Sequence, residues 1–205
     1  MPLLDHFHPP LRGPRRWEGF HHAWAANIAQ HLNRELLPVH FFAEPEICLG
    51  TTLEAFARLE VCEIRIHEES DGTRLRTAIE LVSPANKDRP GSRRTFAAKC
   101  AGYLKQAVSV IIVDVVTERT ANLHADILEA LDVSQAAWES PTQLYAIAYR
   151  PIPMQKQQSV EAWPETLTLG QPLPVVPLWL RLDLCLPLQL EETFAATCSG
   201  LRISC

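Results

Sequence analysis

Apolar residues recur at spacings of three and four from Trp17 onward, which predicts an amphipathic helix. Phe20, Trp24 and Ile28 fall on one stripe of this helix, and the stripe is expected to face a core. Pro38 cannot continue a helix, so the helix is predicted to end before it.

The next segments favour strands. Residues 39–50 are predicted to form two short extended pieces broken at Pro45, because proline removes a ladder donor. Residues 61–67 and 74–82 alternate apolar and polar positions, which is typical of half-buried strands. The Ser-Asp-Gly sequence at 70–72 favours a turn, so the two alternating strands are predicted to pair as a hairpin.

A helix and a buried strand follow the hairpin. Residues 93–106 are predicted to be helical, with Ser92 as the N-cap after a polar loop at 84–92. Residues 108–116 form an almost continuous β-branched run, which indicates a strand covered on both faces. A short helix is predicted at 121–131 and a further strand at 142–150.

Both ends of the chain are rich in proline. Residues 1–16 are predicted to form an extended arm, and residues 17–150 an α/β core. Seven prolines between 151 and 187 predict edge strands and extended segments, with a short helix near 188–197. A length of 205 residues favours one domain, with residues 151–205 as an extension that packs on the core.

Composition limits the function classes. The apolar fraction of 47% supports a packed core, and the net charge of −5 argues against general polyanion binding. No apolar run is long enough for a membrane span or for the apolar region of a signal peptide, so a cytoplasmic protein is expected. The six cysteines form no Cys-x-x-Cys pair, which predicts free thiols rather than a zinc site.

One segment differs in charge from the rest. Residues 74–119 hold nine basic and four acidic side chains, a local net charge of +5 in a chain of −5. This segment is the candidate nucleic-acid surface, because clustered Lys and Arg neutralise phosphates. The alternative is a solvated face paired with acids elsewhere.

Glu80 is the most informative single residue. It lies in the otherwise apolar strand TAIELV, and an ionised carboxylate buried alone costs several kcal/mol. It must therefore be paired, bound to a metal or directed at a cleft. Lys99, on the predicted helix that packs back on the sheet, could supply an amine to the same place. A carboxylate and a lysine so arranged are suited to hold Mg²⁺ and to orient an attacking water.

Several blocks resemble a known family. IELVSPANK (79–87), RRTFAAKCAGYL (93–104) and IIVDVVTERTANLH (111–124) look like the bacterial domain of unknown function 4058 family. The opening MPLLDHFHPP, the helix WEGFHHAW and the closing LPVVPLWL resemble that family too, so the resemblance covers nearly the whole chain.

The IELVSPANK block also resembles, more distantly, the Uma-type putative endonucleases of the PD-(D/E)xK superfamily. That resemblance implies a restriction-endonuclease-like fold, a mixed sheet flanked by helices in the order αβββαβ. Residues 52–60 have a helix-favouring composition, but the resemblance implies that they are extended and carry the first acidic residue. It further implies a Mg²⁺-dependent site that hydrolyses phosphodiesters.

The site residues follow from this resemblance. Glu80 takes the acidic position of the third strand, and Lys99 the lysine, because Val82 stands where the usual lysine would be. No Pro-Asp pair precedes the hairpin. Glu54 is therefore the expected second metal ligand, with Glu60 and Glu63 as alternatives.

Other residues carry weaker candidate chemistry. Asp114 is a second acid in a buried strand and is either a further site carboxylate or an ion-pair partner. Lys87 could contact phosphate, and His124 is either a site residue or a core hydrogen-bonding group. A metal site at Asp5-His6-Phe7-His8 and a chelating pair at His21-His22 are not favoured, and Ser83 is expected to cap the turn at Pro84.

Two functions remain open at this point. The first is a divergent metal-dependent nuclease with Glu80 and Lys99 in its active site. The second is a non-catalytic module on the same scaffold that binds a partner or self-associates through its apolar, proline-rich tail.

Overall fold

A six-stranded mixed sheet organises the residues that the computed structural model describes, which are 2–11, 17–48, 61–70, 72–133, 138–152 and 159–203. The helices are α1 (Trp17–His31), α2 (Pro84–Asp88), α3 (Pro90–Lys105), α4 (Leu123–Ala130) and α5 (Leu190–Gly200), and a π-helical turn, Leu32–Leu36, follows α1. The strands are β1 (Phe41–Cys48), β2 (Val61–Glu69), β3 (Thr73–Leu81), β4 (Ser109–Asp114), β5 (Tyr145–Ile152), β6 (Ser159–Thr166), β7 (Val175–Arg181) and β8 (Leu184–Gln189).

The sheet has the strand order β1-β2-β3-β4-β5-β6. Strands β1, β2 and β3 are antiparallel neighbours, β3 and β4 run parallel, and β5 and β6 continue antiparallel. The parallel pair requires a crossover, which α2 and α3 supply. The predicted hairpin, the buried strand at 109–114 and the mixed α/β class are therefore confirmed.

The two faces of the sheet meet different partners. Thr77 donates its hydroxyl to the carbonyl of Trp179, so its face of β3 turns toward β7. Glu80 lies beside Lys99 of α3, and side chains alternate along a strand, so α3 covers the opposite face. Any site built from Glu80 therefore lies on the α3 side of the sheet.

Three local predictions are wrong. β1 runs unbroken through Pro45, because β1 is an outer strand and the missing N–H of Pro45 costs no ladder bond there. Helix α3 begins at Pro90 rather than after Ser92, since proline at the first helical position has the required φ. Part of the predicted loop at 84–92 is the short helix α2.

Ser83 was predicted to cap a turn at Pro84, and it is the N-cap of the short helix α2 instead. The backbone N–H of Ser83 donates to Asn86 Oδ1 at 2.8 Å, and the N–H of Asn86 donates to the carbonyl of Ser83 at 3.0 Å. These two hydrogen bonds satisfy backbone N–H groups at the start of the helix, which have no partner within the helix itself. They also turn the chain sharply at the end of β3, so that α3 returns over Glu80.

Both proline-rich ends contribute to the packed interior. Leu3 and Phe7 of the N-terminal segment join one buried apolar cluster with the strands of the sheet and with Leu188 and Phe194 from the C-terminal part. Leu3 also exchanges backbone hydrogen bonds with residues 170 and 171. Strand β5 runs past position 150, and β6 extends the same sheet as its other outer strand, with Pro164 in it. Helix α5 confirms the predicted helix near 188–197.

Candidate active site

Two glutamates stand side by side on neighbouring strands. Glu63 of β2 and Glu80 of β3 are direct cross-strand partners, so their side chains leave the same face of the sheet. They are only 1% and 2% exposed. Glu63 is the alternative for the second acid that lies within the described residues, and it stands beside Glu80. Glu54 and Glu60, and the predicted extended segment at 52–60, lie outside the described residues.

Lys99 of α3 joins the two carboxylates. Its Nζ lies 2.5 Å from Glu80 Oε1 and 3.2 Å from Glu63 Oε2. The contact with Glu80 is a close ion pair, and the contact with Glu63 is both an ion pair and a hydrogen bond. Lys99 is 27% exposed, so the amine connects the buried carboxylates to solvent. The predicted approach of Lys99 to Glu80 is therefore present in the fold.

Two further residues hold Glu63, and the sequence analysis did not assign them to the site. Tyr103 donates its hydroxyl to Glu63 Oε1 at 2.8 Å, and Arg65 donates Nε to the same oxygen at 2.8 Å. Arg65 also donates to the Tyr103 hydroxyl at 3.1 Å. Their spacing in the sequence indicates a shared face with the site residues, since Arg65 follows Glu63 by two residues on a strand and Tyr103 follows Lys99 by four on a helix. We call Glu63, Arg65, Glu80, Lys99 and Tyr103 the carboxylate cluster.

The two carboxyl groups differ in their protonation. Burial raises the pKa of Glu80 to about 8, and the neighbouring charge of Glu63 acts in the same direction against the attraction of Lys99. Burial also acts to raise the pKa of Glu63, but Lys99 and the hydrogen bonds from Arg65 and Tyr103 outweigh it, so this pKa lies below its usual value. Two like charges side by side oppose joint ionisation. The pair therefore favours one proton on Glu80 and a charge on Glu63.

The basic partners respond to the same charges. Burial alone would lower the pKa of Lys99, but Glu80 and Glu63 raise it above its usual value, so the amine stays protonated. Burial and the hydrogen bond to Glu63 raise the pKa of Tyr103 to about 12, so its phenol remains a donor. The carboxylate cluster thus offers one ionised carboxylate, one protonatable carboxylate and a fixed ammonium group.

Asp114 does not join the carboxylate cluster, and it forms a second buried pair instead. Lys87 Nζ lies 2.9 Å from Asp114 Oδ2, and both side chains have no exposed surface. The N–H of Val116 donates to the other carboxylate oxygen at 3.1 Å, and Lys87 donates to the carbonyl of Val116 at 3.3 Å. Lys87 is therefore a core ion-pair partner rather than an exposed phosphate contact. Asp114 is likewise an ion-pair partner and not a further carboxylate of the site.

The basic segment at 74–119 is largely paired within the described chain. Arg93 faces Asp126 at 3.5 Å, and Arg119 faces Asp88 at 2.7 Å. Arg76 meets Glu68, and Lys105 donates to the carbonyl of Ala130. These pairs leave less free positive charge on this segment than its residue count suggests. Nucleic-acid binding through residues 74–119 stays a prediction.

The remaining candidates have structural contacts. His124 Nδ1 forms a 2.7 Å hydrogen bond with the Tyr149 hydroxyl, which is the core role considered for it. His21 Nε2 contacts the carbonyl of Leu81 at 2.8 Å. Asp5 accepts hydrogen bonds from Thr117 and contacts His8, so it ties the N-terminal arm to the end of β4.

The carboxylate oxygens of the cluster can be compared with the ligands that a metal ion requires. Carboxylate oxygens are the ligands that Mg²⁺ prefers, and Mg²⁺ usually keeps several waters besides one or two carboxylates. Glu63 and Glu80 fit that requirement in type and number. Among the described residues no group of three or more His, Cys, Asp or Glu side chains is placed to hold a metal. Of the described residues, these two carboxylates would be the ligands of a metal ion here, together with water.

Comparisons with known proteins add no further assignment. No protein-family model, curated protein or solved structure matches the chain. The resemblance to the domain of unknown function 4058 family and to the Uma-type endonucleases therefore stays a prediction. Within the described residues, no helix is both long and apolar enough to cross a bilayer.

Proposed function

We propose that this chain is a divalent-cation-dependent phosphodiester hydrolase that acts on nucleic acid, on a restriction-endonuclease-like scaffold. The observation that carries the proposal is the position of Lys99 Nζ, 2.5 Å from one strand-borne carboxylate and 3.2 Å from the next. The element order α1-β1-β2-β3-α2-α3-β4 also supports it, because it follows the order αβββαβ that the resemblance implies when the two helices of the crossover are counted together.

Each residue of the carboxylate cluster has a role in this proposal. Glu63 and Glu80 would hold Mg²⁺, which when bound polarises a phosphoryl oxygen and lowers the pKa of a coordinated water. Lys99 provides a fixed positive charge beside the carboxylates, where negative charge develops during phosphoryl transfer. Tyr103 and Arg65 orient Glu63 through hydrogen bonds, and they are positioning residues.

A cleavage assay tests the proposal. Purified chain is incubated with supercoiled plasmid, single-stranded DNA and RNA in Mg²⁺ or Mn²⁺, with EDTA as the metal-free reference. We expect metal-dependent cleavage that Glu80→Gln and Lys99→Met reduce by about a hundredfold or more, as loss of a preorganised charged group does in other active sites. Glu165→Gln, at an exposed position of β6, is the matched control and should cleave like the wild type.

The assay has a clear negative outcome. Absence of cleavage on all three substrates, or cleavage that Glu80→Gln leaves unchanged, would reject a nuclease centred on this site. Thermal unfolding of each variant shows whether the fold survives, so that lost activity is not confused with lost structure.

A non-catalytic module is the second candidate, and one observation favours it. Glu63 and Glu80 are almost fully buried, and they already have ion-pair partners in Lys99 and Arg65 and a hydrogen bond from Tyr103, as in a structural ion-pair network. In this case the chain binds a partner or a second copy through its C-terminal part, which exposes Leu169, Val175 and Leu182. Sedimentation of the wild type at micromolar concentration, together with the cleavage assay, separates the two candidates.

A further inference from the structure

A second cleft, on the β7 side of the sheet, collects three arginines from three strands. Arg76 of β3, Arg150 of β5 and Arg181 of β7 line a cavity of about 340 Å³. Ser109 at the start of β4 and Asp183 in the β7–β8 turn also line it. We call this cavity the arginine cleft.

A buried carboxylate fixes two of the arginines. Glu68 is 2% exposed; it accepts from Arg76 Nε at 2.5 Å through one oxygen and from Arg181 through the other. Two guanidinium groups share this one carboxylate, and each guanidinium has five N–H donors, so each keeps donors that are not bonded to Glu68. Glu68 therefore holds Arg76 and Arg181 in place without using all of their N–H groups.

The third arginine is held by a different set of contacts. Arg150 donates hydrogen bonds from Nε to Glu161 at 3.0 Å and from Nη1 to the carbonyl of Leu182 at 3.2 Å. Its guanidinium carbon lies 3.8 Å from the centre of the Trp179 ring. Stacking and hydrogen bonding together restrict the rotamers of a side chain that is otherwise costly to order.

The groups that line the arginine cleft favour an anion. Three carboxylates balance the three guanidinium groups in number, but only Asp183 lines the cavity, while Glu68 and Glu161 hold the arginines from outside the lining. Guanidinium groups offer fixed N–H forks that match the oxygens of a phosphate. We propose that the arginine cleft binds a phosphate group, carried by a nucleotide or by a nucleic-acid strand.

This assignment does not rest on the proposed hydrolase. β7 covers the sheet face opposite to the carboxylate cluster, and none of that cluster's residues lines the arginine cleft. Binding here requires no metal ion. Anion binding in EDTA therefore tests the cleft while any metal-dependent cleavage is switched off.

Calorimetric titration in EDTA at constant ionic strength tests the proposal with three probes: pyrophosphate, AMP and a single-stranded DNA 12-mer. We expect at least one probe to saturate the wild type at one site. Arg181→Gln should weaken that binding by about tenfold, the usual loss for a charged hydrogen-bonding group. Asp183→Asn should tighten it by about threefold, because it removes the opposing charge at an exposed position. Arg34→Gln, an exposed arginine outside the cleft, should change nothing.

The probes that saturate the protein identify the ligand. Saturation by AMP and pyrophosphate points to a nucleotide, and saturation by the 12-mer alone points to a nucleic-acid strand. No saturation by any probe overturns the proposal, as does equal weakening by Arg34→Gln and Arg181→Gln. If Arg181→Gln fails to fold, Asp183→Asn decides: unchanged or weaker binding in that variant also overturns the proposal.

Discussion

The carboxylate cluster and the Lys87–Asp114 pair each contain an acid that lies inside an apolar strand of the sequence. The two regions differ in the partners that they provide for the buried acid. The Lys87–Asp114 pair has no exposed surface, one amine for one carboxylate, and backbone partners at Val116. The carboxylate cluster has two carboxylates, and its amine, Lys99, is 27% exposed.

This difference separates a structural pair from a candidate site. A closed one-to-one pair satisfies itself and offers nothing to a ligand. Two crowded carboxylates keep a protonatable group and can exchange their partner for another cation, since Lys99 reaches solvent. Burial of an acid therefore marks a position that needs a partner, while the crowding of two acids and the access of solvent decide whether the position can do chemistry.

The largest effect is expected at the closed pair. Lys87→Met leaves the Asp114 carboxylate buried without its amine, and we expect a loss of about 3–5 kcal/mol in the free energy of unfolding. Denaturant unfolding monitored by tryptophan fluorescence measures this loss. The double variant Lys87→Met/Asp114→Asn removes both charges and should lose less; a double variant as unstable as the single one would contradict the comparison.

A smaller loss is expected at the carboxylate cluster. Lys99→Met should reduce the free energy of unfolding by about 2 kcal/mol, because Arg65 and Tyr103 still hold Glu63 while Glu80 can take up a proton. The same unfolding experiment applies, with the exposed Lys105→Met as the reference. A loss equal to that of Lys87→Met would show that the two regions are energetically alike.

The smallest effect is a difference in pH dependence. Burial raises the pKa of Glu80 from 4.5 to about 8 and that of Asp114 from 3.8 to about 6. A folded state that holds a proton more tightly than the unfolded chain is stabilised at low pH, and this stabilisation is lost as pH rises through the folded pKa. Between pH 6 and 8 the wild type should therefore lose about 1 kcal/mol per pH unit relative to Glu80→Gln.

Unfolding curves at fixed pH values from 4 to 9 measure this difference, and comparison with each variant cancels the contribution of the buried histidines. Asp114→Asn is the matched control, because its difference from the wild type should develop between about pH 4 and 6 instead. A constant difference between the wild type and Glu80→Gln from pH 6 to 8 would contradict the protonation assigned to Glu80.

The fold was predictable where periodicity was regular. Alternation located the β2–β3 hairpin, and the β-branched run located β4. The prediction failed at Pro45, because the effect of a proline depends on whether its strand is an outer one, and strand order is a tertiary property. It failed at Ser92 because Pro90 also starts a helix well.

The candidate site was predictable in part. The unusual setting of Glu80 and the expected return of α3 identified Glu80 and Lys99. The choice among Glu54, Glu60 and Glu63 needed the β2–β3 register, which sequence spacing does not give. Tyr103 was missed because its position four residues after Lys99 indicates a shared face of α3 but not that the Glu63 carboxylate lies within reach of its hydroxyl.

The prolines of the two outer strands have a consequence for self-association. Pro45 in β1 and Pro164 in β6 each lack the backbone N–H that an outer strand of the described sheet would offer to a further strand. A strand from another chain that added to either outer strand would therefore lack one backbone hydrogen bond there, which disfavours growth into fibrils. Any dimer of this chain is expected to form through side-chain surfaces rather than through continuation of its sheet.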